Sequence, residues 1–329
     1  MEYRKLIVPE KGRVACVSYP LPEPGPTELQ VEIYASVISP GTERAFILNL
    51  ENTSGIYPIL DAGYCAAGIV TAAGRDVTGF KIGEHVATQL SHGSHGIIDQ
   101  SKAYHMPGGL AFEEGAFTTL VIIAMQAVRK ARIELGENVL VFGAGLVGQL
   151  AAQLAKASGA NKVVVLDRVQ KRLDLALTCG ADGAINIEEK DWLEQLSALT
   201  DDRMPEVVIE STGFPEPIRI SCEVCRKFGR VIILGSTRGD TTLNFYSLVH
   251  KKALSIIGAH LSSMPDHDSY PGNWSDFENA RVCMQLLTSG KLNVRRLITE
   301  TVTEADVIGA YERILGWDAN MVATVIRWK

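Results

Sequence analysis

Apolar residues fall into two regimes along the chain. Over residues 13–19, 29–38 and 66–73 they alternate with polar ones between turns, the proline cluster at 20–26 among them, which predicts short β-strands of a compact barrel-like domain. Residues 76–87 continue it, with Gly83-Glu84-His85-Val86 as a turn into another strand, and residues 91–96 read as a polar loop of Gly, Ser and His. Over residues 111–132 the period becomes helical. Strands then recur every twenty-odd residues, near Leu140, Val164, Ala184, Val207, Ile232 and Ser255, with helical text between most of them, so six parallel strands in a doubly wound α/β sheet are expected. Past Gly258 come loops, a helix over 276–289, a strand near Val302, a helix over 304–315 and a last strand over 322–328. This tail is too short for a domain. The expected organisation is a barrel-like domain of residues 1–125 completed by 261–329, and a doubly wound domain of residues 126–260.

The first of the six strands, Val139 to Phe142, breaks into Gly143, Gly145 and Gly148. Gly143 permits the tight turn, Gly145 lets backbone approach a pyrophosphate, and Gly148 lets the following helix pack on its strand. A G-x-G-x-x-G alone is weak evidence, but here a strand, a helix and a second strand surround it. The helix start at Leu146 and Val147 then holds the anion. Asp167 ends the second strand 19 residues beyond Gly148, where an acid accepts hydrogen bonds from the adenosine ribose 2′-hydroxyl. That favours NAD. Arg168 beside it keeps NADP as the alternative, because a guanidinium can receive a 2′-phosphate.

Composition narrows the classes. A chain of 329 residues that is 46% hydrophobic fills a two-domain globular protein, and a net charge of −6 without a dense Lys/Arg run argues against nucleic acid as a partner. The residues after Met1 (Glu2, Tyr3, Arg4, Lys5) lead into no apolar signal region, and no apolar run reaches membrane-spanning length, so a cytoplasmic protein without membrane association is expected. The six cysteines then read as scattered thiols, and Cys222-x-x-Cys225 as core residues.

The order of features resembles the medium-chain dehydrogenase/reductase superfamily, which includes zinc alcohol, sorbitol and threonine dehydrogenases and the quinone reductases. The carriers are Pro22-x-Pro24-Gly25-Pro26-x-Glu28-Leu29-x-Val31, Gly63-x-x-x-x-Gly68-Ile69-Val70, Gly83-x-x-Val86-Ala87, the Gly143 turn, Glu210-Ser211-Thr212-Gly213, and Gly235-Ser236 after a strand. The resemblance covers essentially the whole chain. It implies a GroES-like domain beside a Rossmann domain, with a cofactor in the cleft between them, and Thr212, Gly213, Gly235 and Ser236 near its ribose and nicotinamide ends. It also implies a homodimer or homotetramer formed through the sheet edge near residues 255–260.

The departures from the superfamily carry as much weight. Its catalytic zinc takes a Cys from C-x-T-D, the His-Glu of G-H-E and a later Cys or Glu; here those segments read Ser39-Pro40-Gly41-Thr42-Glu43, Gly63-Tyr64-Cys65 and Thr119. Hydroxyls in place of thiolate and imidazole do not suit zinc, and the four-cysteine structural lobe is missing because no Cys lies between Cys65 and Cys179. No metal is expected, although His92, His95 and Cys65 are soft donors from which a site could be rebuilt. Ser39 to Arg44 together with Gly63-Tyr64 resembles a zinc-less branch similar to the bacteriochlorophyllide dehydrogenases and to proteins found with sugar oxidoreductases.

Without metal, side chains must stabilise the reacting oxygen and relay its proton. Tyr64, at the place of the lost His ligand, and His95, in the polar loop, are the proton-donor candidates, with Glu43 and Thr42 extending a relay or gripping a substrate hydroxyl. Tyr64 is as readily a packed core aromatic, His95 a surface histidine, and Glu43 a partner of Arg44 or another cation. The favoured expectation is an NAD-dependent, zinc-independent dehydrogenase of a polar secondary alcohol such as a sugar or cyclitol. An NADPH-dependent reductase of enones or quinones is the alternative, and a non-catalytic nucleotide-binding scaffold or sensor the third.

Overall fold

The computed structural model describes residues 2–265 and 268–329, leaving Met1, Asp266 and His267 outside the description. The chain divides into two compact units: Met1–Leu120 with Phe277–Gly290 and Ile298–Lys329, and Val121–Asp276 with Lys291–Leu297.

In the first unit, β1 (Glu2–Glu10) and β2 (Arg13–Pro20) form a hairpin. A second sheet takes β3 (Glu28–Ile38), β4 (Ala66–Ala73), β5 (His85–Thr88), β6 (His95–Asp99) and β7 (Ala103–His105). The alternation seen in the sequence is the reason: along β3, Leu29, Val31 and Ile33 point inward and are fully buried between more exposed neighbours. Those side chains join Leu6, Val8, Ile38, Ile47, Val70 and Val86 in one apolar cluster.

In the second unit, the described residues give a parallel sheet of six strands: β8 (Asn138–Phe142), β9 (Lys162–Asp167), β10 (Gly183–Asn186), β11 (Val207–Glu210), β12 (Arg230–Ile233) and β13 (Ser255–Gly258). Their order, β10-β9-β8-β11-β12-β13, reverses direction between β8 and β11, and that switch point is where a doubly wound sheet binds ligands beyond the carboxyl ends of its strands. Val139 to Phe142, Val163 to Leu166 and Val207 to Ile209 are almost wholly buried, as strands covered on both faces must be.

The tail returns to the first unit. Among the described residues β14 (Ile298–Thr303) and β15 (Ala323–Arg327) complete a sheet of seven strands, with β15 antiparallel to β3. The helix Val307–Leu315 between them buries Val307, Ala310, Tyr311 and Ile314 at helical spacing.

Three local expectations need correction. Residues 40–47 form a helix, Pro40–Ile47, rather than part of the strand-and-turn text. Ser39 at its N-cap, Pro40 at its first position and Glu43 in its first turn are the cause. The polar loop at 91–96 is shorter than expected because His95 and Gly96 open β6 and pair with Glu32 and Val31. The helical stretch at 111–132 is two helices, Phe112–Gly115 and Thr118–Ala131.

Candidate functional site

The glycine turn is built as a phosphate cradle. Gly143 has φ +103°, a left-handed conformation that disfavours other residues, and its carbonyl oxygen would lie 1.9 Å from a Cβ placed on Gly148. At Gly145, by contrast, a Cβ would meet nothing within 4 Å among the described residues, so the space there is open to a ligand. Gly145 caps the helix Leu146–Ala157 and has no side chain of its own to bond that helix start. The amides of Leu146, Val147 and Gly148 therefore face an anion position with the positive end of the helix behind them. The residues fit a dinucleotide. Asp167 stands at the end of β9, half-buried, accepting the Ala144 N–H at 2.6 Å on one oxygen and the Val169 N–H at 2.9 Å on the other. Each carboxylate oxygen keeps a further lone pair for a ribose hydroxyl. Arg168 beside it is exposed.

The loops after β11 and β12 meet in this same unit. A Cβ on Gly235 would lie 2.5 Å from the Gly213 nitrogen, so these two glycines approach as only glycines can. Gly235 and Ser236, with Thr237, Gly258, Ala259 and His260, line a cavity of about 320 Å³. Thr212 and Gly213 are held by Glu210, whose Oε1 accepts the Thr212 N–H at 2.7 Å and the Thr212 hydroxyl. Glu210 is fully buried, and its Oε2 has no hydrogen-bond partner among the described residues. Burial pushes its carboxyl up to about 6 from an ordinary 4.5, against the pull of the Thr212 and Gly213 hydrogen bonds. Because the folded value is the higher, the protonated form favours folding, and this contribution is lost as pH rises. Stability should fall by about 2 kcal/mol between about pH 4.5 and 6, and Glu210→Gln should remove that slope in urea titrations.

The first unit holds the second constellation. Tyr64 is half-buried, and the hydroxyls of Ser39 and Thr42 stand beside its phenol. Burial, then the neighbouring Cys65 and Glu43, holds its proton well above the usual phenol range, so Tyr64 is a neutral donor at any physiological pH. Glu43 is almost fully buried and takes a different partner from the cation expected. Its carboxylate accepts the Ser39 N–H at 2.7 Å and the Tyr311 hydroxyl at 2.5 Å, and His92 Nε2 stands 3.2 and 3.3 Å from its two oxygens. Arg44 turns the other way, its Nε to the Leu315 carbonyl and its guanidinium over the Trp317 ring at 4.9 Å. Behind His92, Nδ1 lies 2.8 Å from Ser36 Oγ, which accepts Trp328 Nε1–H at 2.9 Å. Tyr311, Ser36 and Trp328 carry no local signature. His92 was legible only as a loop histidine.

His95 lies apart from this group. Its Nδ1 is 3.3 Å from Ser94 Oγ and its Nε2 is 3.9 Å from Glu32, which also pairs with Lys329. Burial lowers its pKa from 6.5, so it is a neutral imidazole at neutral pH.

A zinc ion of the superfamily type finds no fitting donor set at the corresponding positions. Ser39, Thr42 and Thr119 offer hydroxyls, and burial and the Glu43 charge keep the Cys65 thiol protonated far above its ordinary range. His92, His95 and Cys65 occupy separate hydrogen-bonding surroundings. Among the described residues no group of three or more His, Cys, Asp or Glu could hold a metal ion.

The glycine cradle on a 3-2-1-4-5-6 sheet, and a barrel-like unit closed by the chain's tail, define a two-domain dehydrogenase. Comparison with known proteins agrees. The zinc-binding dehydrogenase family model matches residues 147–279. Sorbitol dehydrogenase of Halalkalibacterium halodurans is 25% identical, with 94% of this chain and 95% of that protein covered. D-guloside 3-dehydrogenase of Escherichia coli is 28% identical over 76% of this chain and 72% of its own. Among solved structures, galactitol-1-phosphate dehydrogenase of Escherichia coli superposes with a TM-score of 0.87 at 22% identity, covering 99% of this chain and 100% of that one. The chain belongs to the zinc-type alcohol dehydrogenase-like medium-chain dehydrogenase/reductase superfamily, with its GroES-like and Rossmann folds. It is an oxidoreductase of the alcohol dehydrogenase type. Solved structures of this architecture include complexes with NADH and with NADP. Among the described residues no helix is long and apolar enough to cross a membrane.

Proposed function

We propose that this protein interconverts a polar secondary alcohol, of the sugar or cyclitol kind, and its ketone, using NAD(H) and no zinc. The observation that carries this is Tyr64, at the place of the superfamily's His ligand, with the hydroxyls of Ser39 and Thr42 beside its phenol. Gly143, Gly145, Leu146, Val147 and Gly148 would hold the pyrophosphate, Asp167 the adenosine ribose, and Thr212, Gly213, Gly235 and Ser236 the nicotinamide half. The bound nicotinamide supplies the hydride acceptor or donor. The Tyr64 Oη–H then hydrogen-bonds the substrate oxygen, and Ser39 and Thr42 stabilise the phenol oxygen when its proton shifts. A phenol with a firmly held proton is still more acidic than an aliphatic alcohol, so it gives that proton to an alkoxide while staying neutral otherwise. Thr42 is placed to fix a substrate hydroxyl, and Glu43 acts from behind Ser39. His95, neutral and half-buried, is the second acid/base candidate. The sorbitol and D-guloside relatives support a polyhydroxylated substrate. A cytoplasmic homodimer or homotetramer joined at the β13 edge, where Ile256 is 36% exposed, completes the proposal.

Paired titrations with NADH and NADPH, followed by turnover on polyols, sugars and enones, test it. Tighter NADH binding with oxidation of a polyol is expected. Preference for NADPH with enone reduction, in which exposed Arg168 receives the 2′-phosphate, would replace it with a C=C or quinone reductase. Binding without turnover on the whole panel would leave a scaffold.

A further inference from the structure

We propose that His92 is a positioning residue that fixes the Tyr64 phenol through two independent routes, a statement that rests on Tyr64 being the proton donor named above. The first route is backbone. His92 Nε2 lies 2.2 Å from where a Cβ on Gly63 would be, so the ring lies against the residue immediately before Tyr64, and the His92 N–H donates to the Ala62 carbonyl at 2.8 Å. The second route is polar. His92 faces Glu43, Glu43 holds the Ser39 N–H at 2.7 Å, and the Ser39 hydroxyl stands beside the Tyr64 phenol.

Counting protons along the chain assigns the tautomer. The Glu43 carboxylate can only accept, so the Nε2 that faces it carries a proton, while Ser36 Oγ, which accepts Trp328 Nε1–H, keeps both its own proton and a second lone pair for Nδ1. The imidazole proton then sits on Nε2 and points at the carboxylate, which already takes donors from Ser39 and Tyr311. His92 and Ser36 are fully buried, Tyr311 is 1% exposed and Glu43 6%. With water excluded, losing the imidazole donor leaves a buried carboxylate short of one partner, so Glu43 and the Ser39 it holds must readjust. None of these side chains needs to touch substrate.

His92→Leu removes the donor while keeping bulk, and His92→Gln returns an N–H near the Nε2 position. For His92→Leu, kcat should fall on the order of 100-fold with KM for the polyol moving less than about threefold, the signature of a misplaced catalytic group. His92→Gln should recover most of that loss, and neither variant should alter NADH affinity. A readout free of activity is 3-fluorotyrosine placed at position 64: its fluorine resonance should shift or broaden in His92→Leu and return in His92→Gln. If His92→Leu does not fold, Ser36→Ala, which cuts the far end of the chain, takes its place with the same pattern expected. A folded His92→Leu with wild-type kcat and an unmoved fluorine resonance overturns the proposal, as does an equal loss in His92→Leu and His92→Gln with that resonance unmoved. Wild-type protein inert on every polyol would end the functional proposal alone. In that case the resonance still supports positioning if His92→Leu displaces it and His92→Gln restores it, and contradicts it if neither change moves it.

Discussion

Gly145→Val should lower NADH affinity on the order of 100-fold while leaving the protein as stable as the wild type, the loss of two amide-to-phosphate hydrogen bonds at ~1.5 kcal/mol each. The two halves of that result have separate causes. A Cβ at Gly145 meets no atom within 4 Å among the described residues, and its φ of −69° suits any residue, so folding is expected to be untouched. The same side chain would occupy the space into which a pyrophosphate must come. Gly148→Ala should behave in the opposite manner. Its Cβ would lie 1.9 Å from the Gly143 carbonyl oxygen and 2.7 Å from Ser211 Oγ, and backbone cannot yield as a flexible side chain can. Stability should drop by about 3 kcal/mol, and nucleotide binding with it, as the turn is forced apart. Urea unfolding and NADH fluorescence titration on the two variants separate these effects. Unchanged NADH binding in Gly145→Val would remove the cradle assignment.

Tyr64→Phe should cost roughly 100- to 10,000-fold in kcat, the range expected for a positioned proton donor, with NADH affinity unchanged. Thr42→Val, which removes one hydroxyl partner of the phenol and leaves the other, should cost roughly tenfold, one neutral hydrogen bond's worth. The pH profile adds a sharper requirement. Because burial, with the neighbouring Cys65 and Glu43, holds the Tyr64 proton well above the ordinary phenol value of 10, ketone reduction should show no limb from this residue below pH 10. A falling limb at lower pH that disappears in Tyr64→Phe would contradict the electrostatics described for the cluster. A Tyr64→Phe enzyme with full activity would pass the role of donor to His95.

The nucleotide-binding half was legible in the sequence because its determinants are local. Strand, glycine turn, helix and second strand follow one another within thirty residues, and Asp167 falls at a fixed distance from Gly148. The central strands β8, β9 and β11, buried on both faces, likewise announce themselves as apolar runs. The catalytic candidates were only partly legible. Tyr64 stood out because it occupies the place of an expected ligand, and Thr42 and Glu43 because they lie in the segment that should carry another, yet the helix Pro40–Ile47 that holds those two was hidden in strand-and-turn text. Its start signal, Ser39-Pro40 with Glu43 after it, was present and could have been read. Tyr311 could not. It meets Glu43 across 268 positions, and Trp328 meets Ser36 across 292, distances over which no periodicity or motif reports. His92 shows the same gap: a histidine between Ser91 and Gly93 has the text of a surface loop, but the structure buries it completely because Ser36 and Glu43 satisfy both ring nitrogens.

The central claim is that alcohol and ketone are interconverted here by hydroxyl groups in place of a metal. The most direct measurement is polyol oxidation with NAD by protein dialysed against a strong chelator, with zinc quantified in the same sample. Undiminished turnover at far below one zinc per chain is the expected result. Activity that vanishes on chelation and returns with one equivalent of zinc would contradict it.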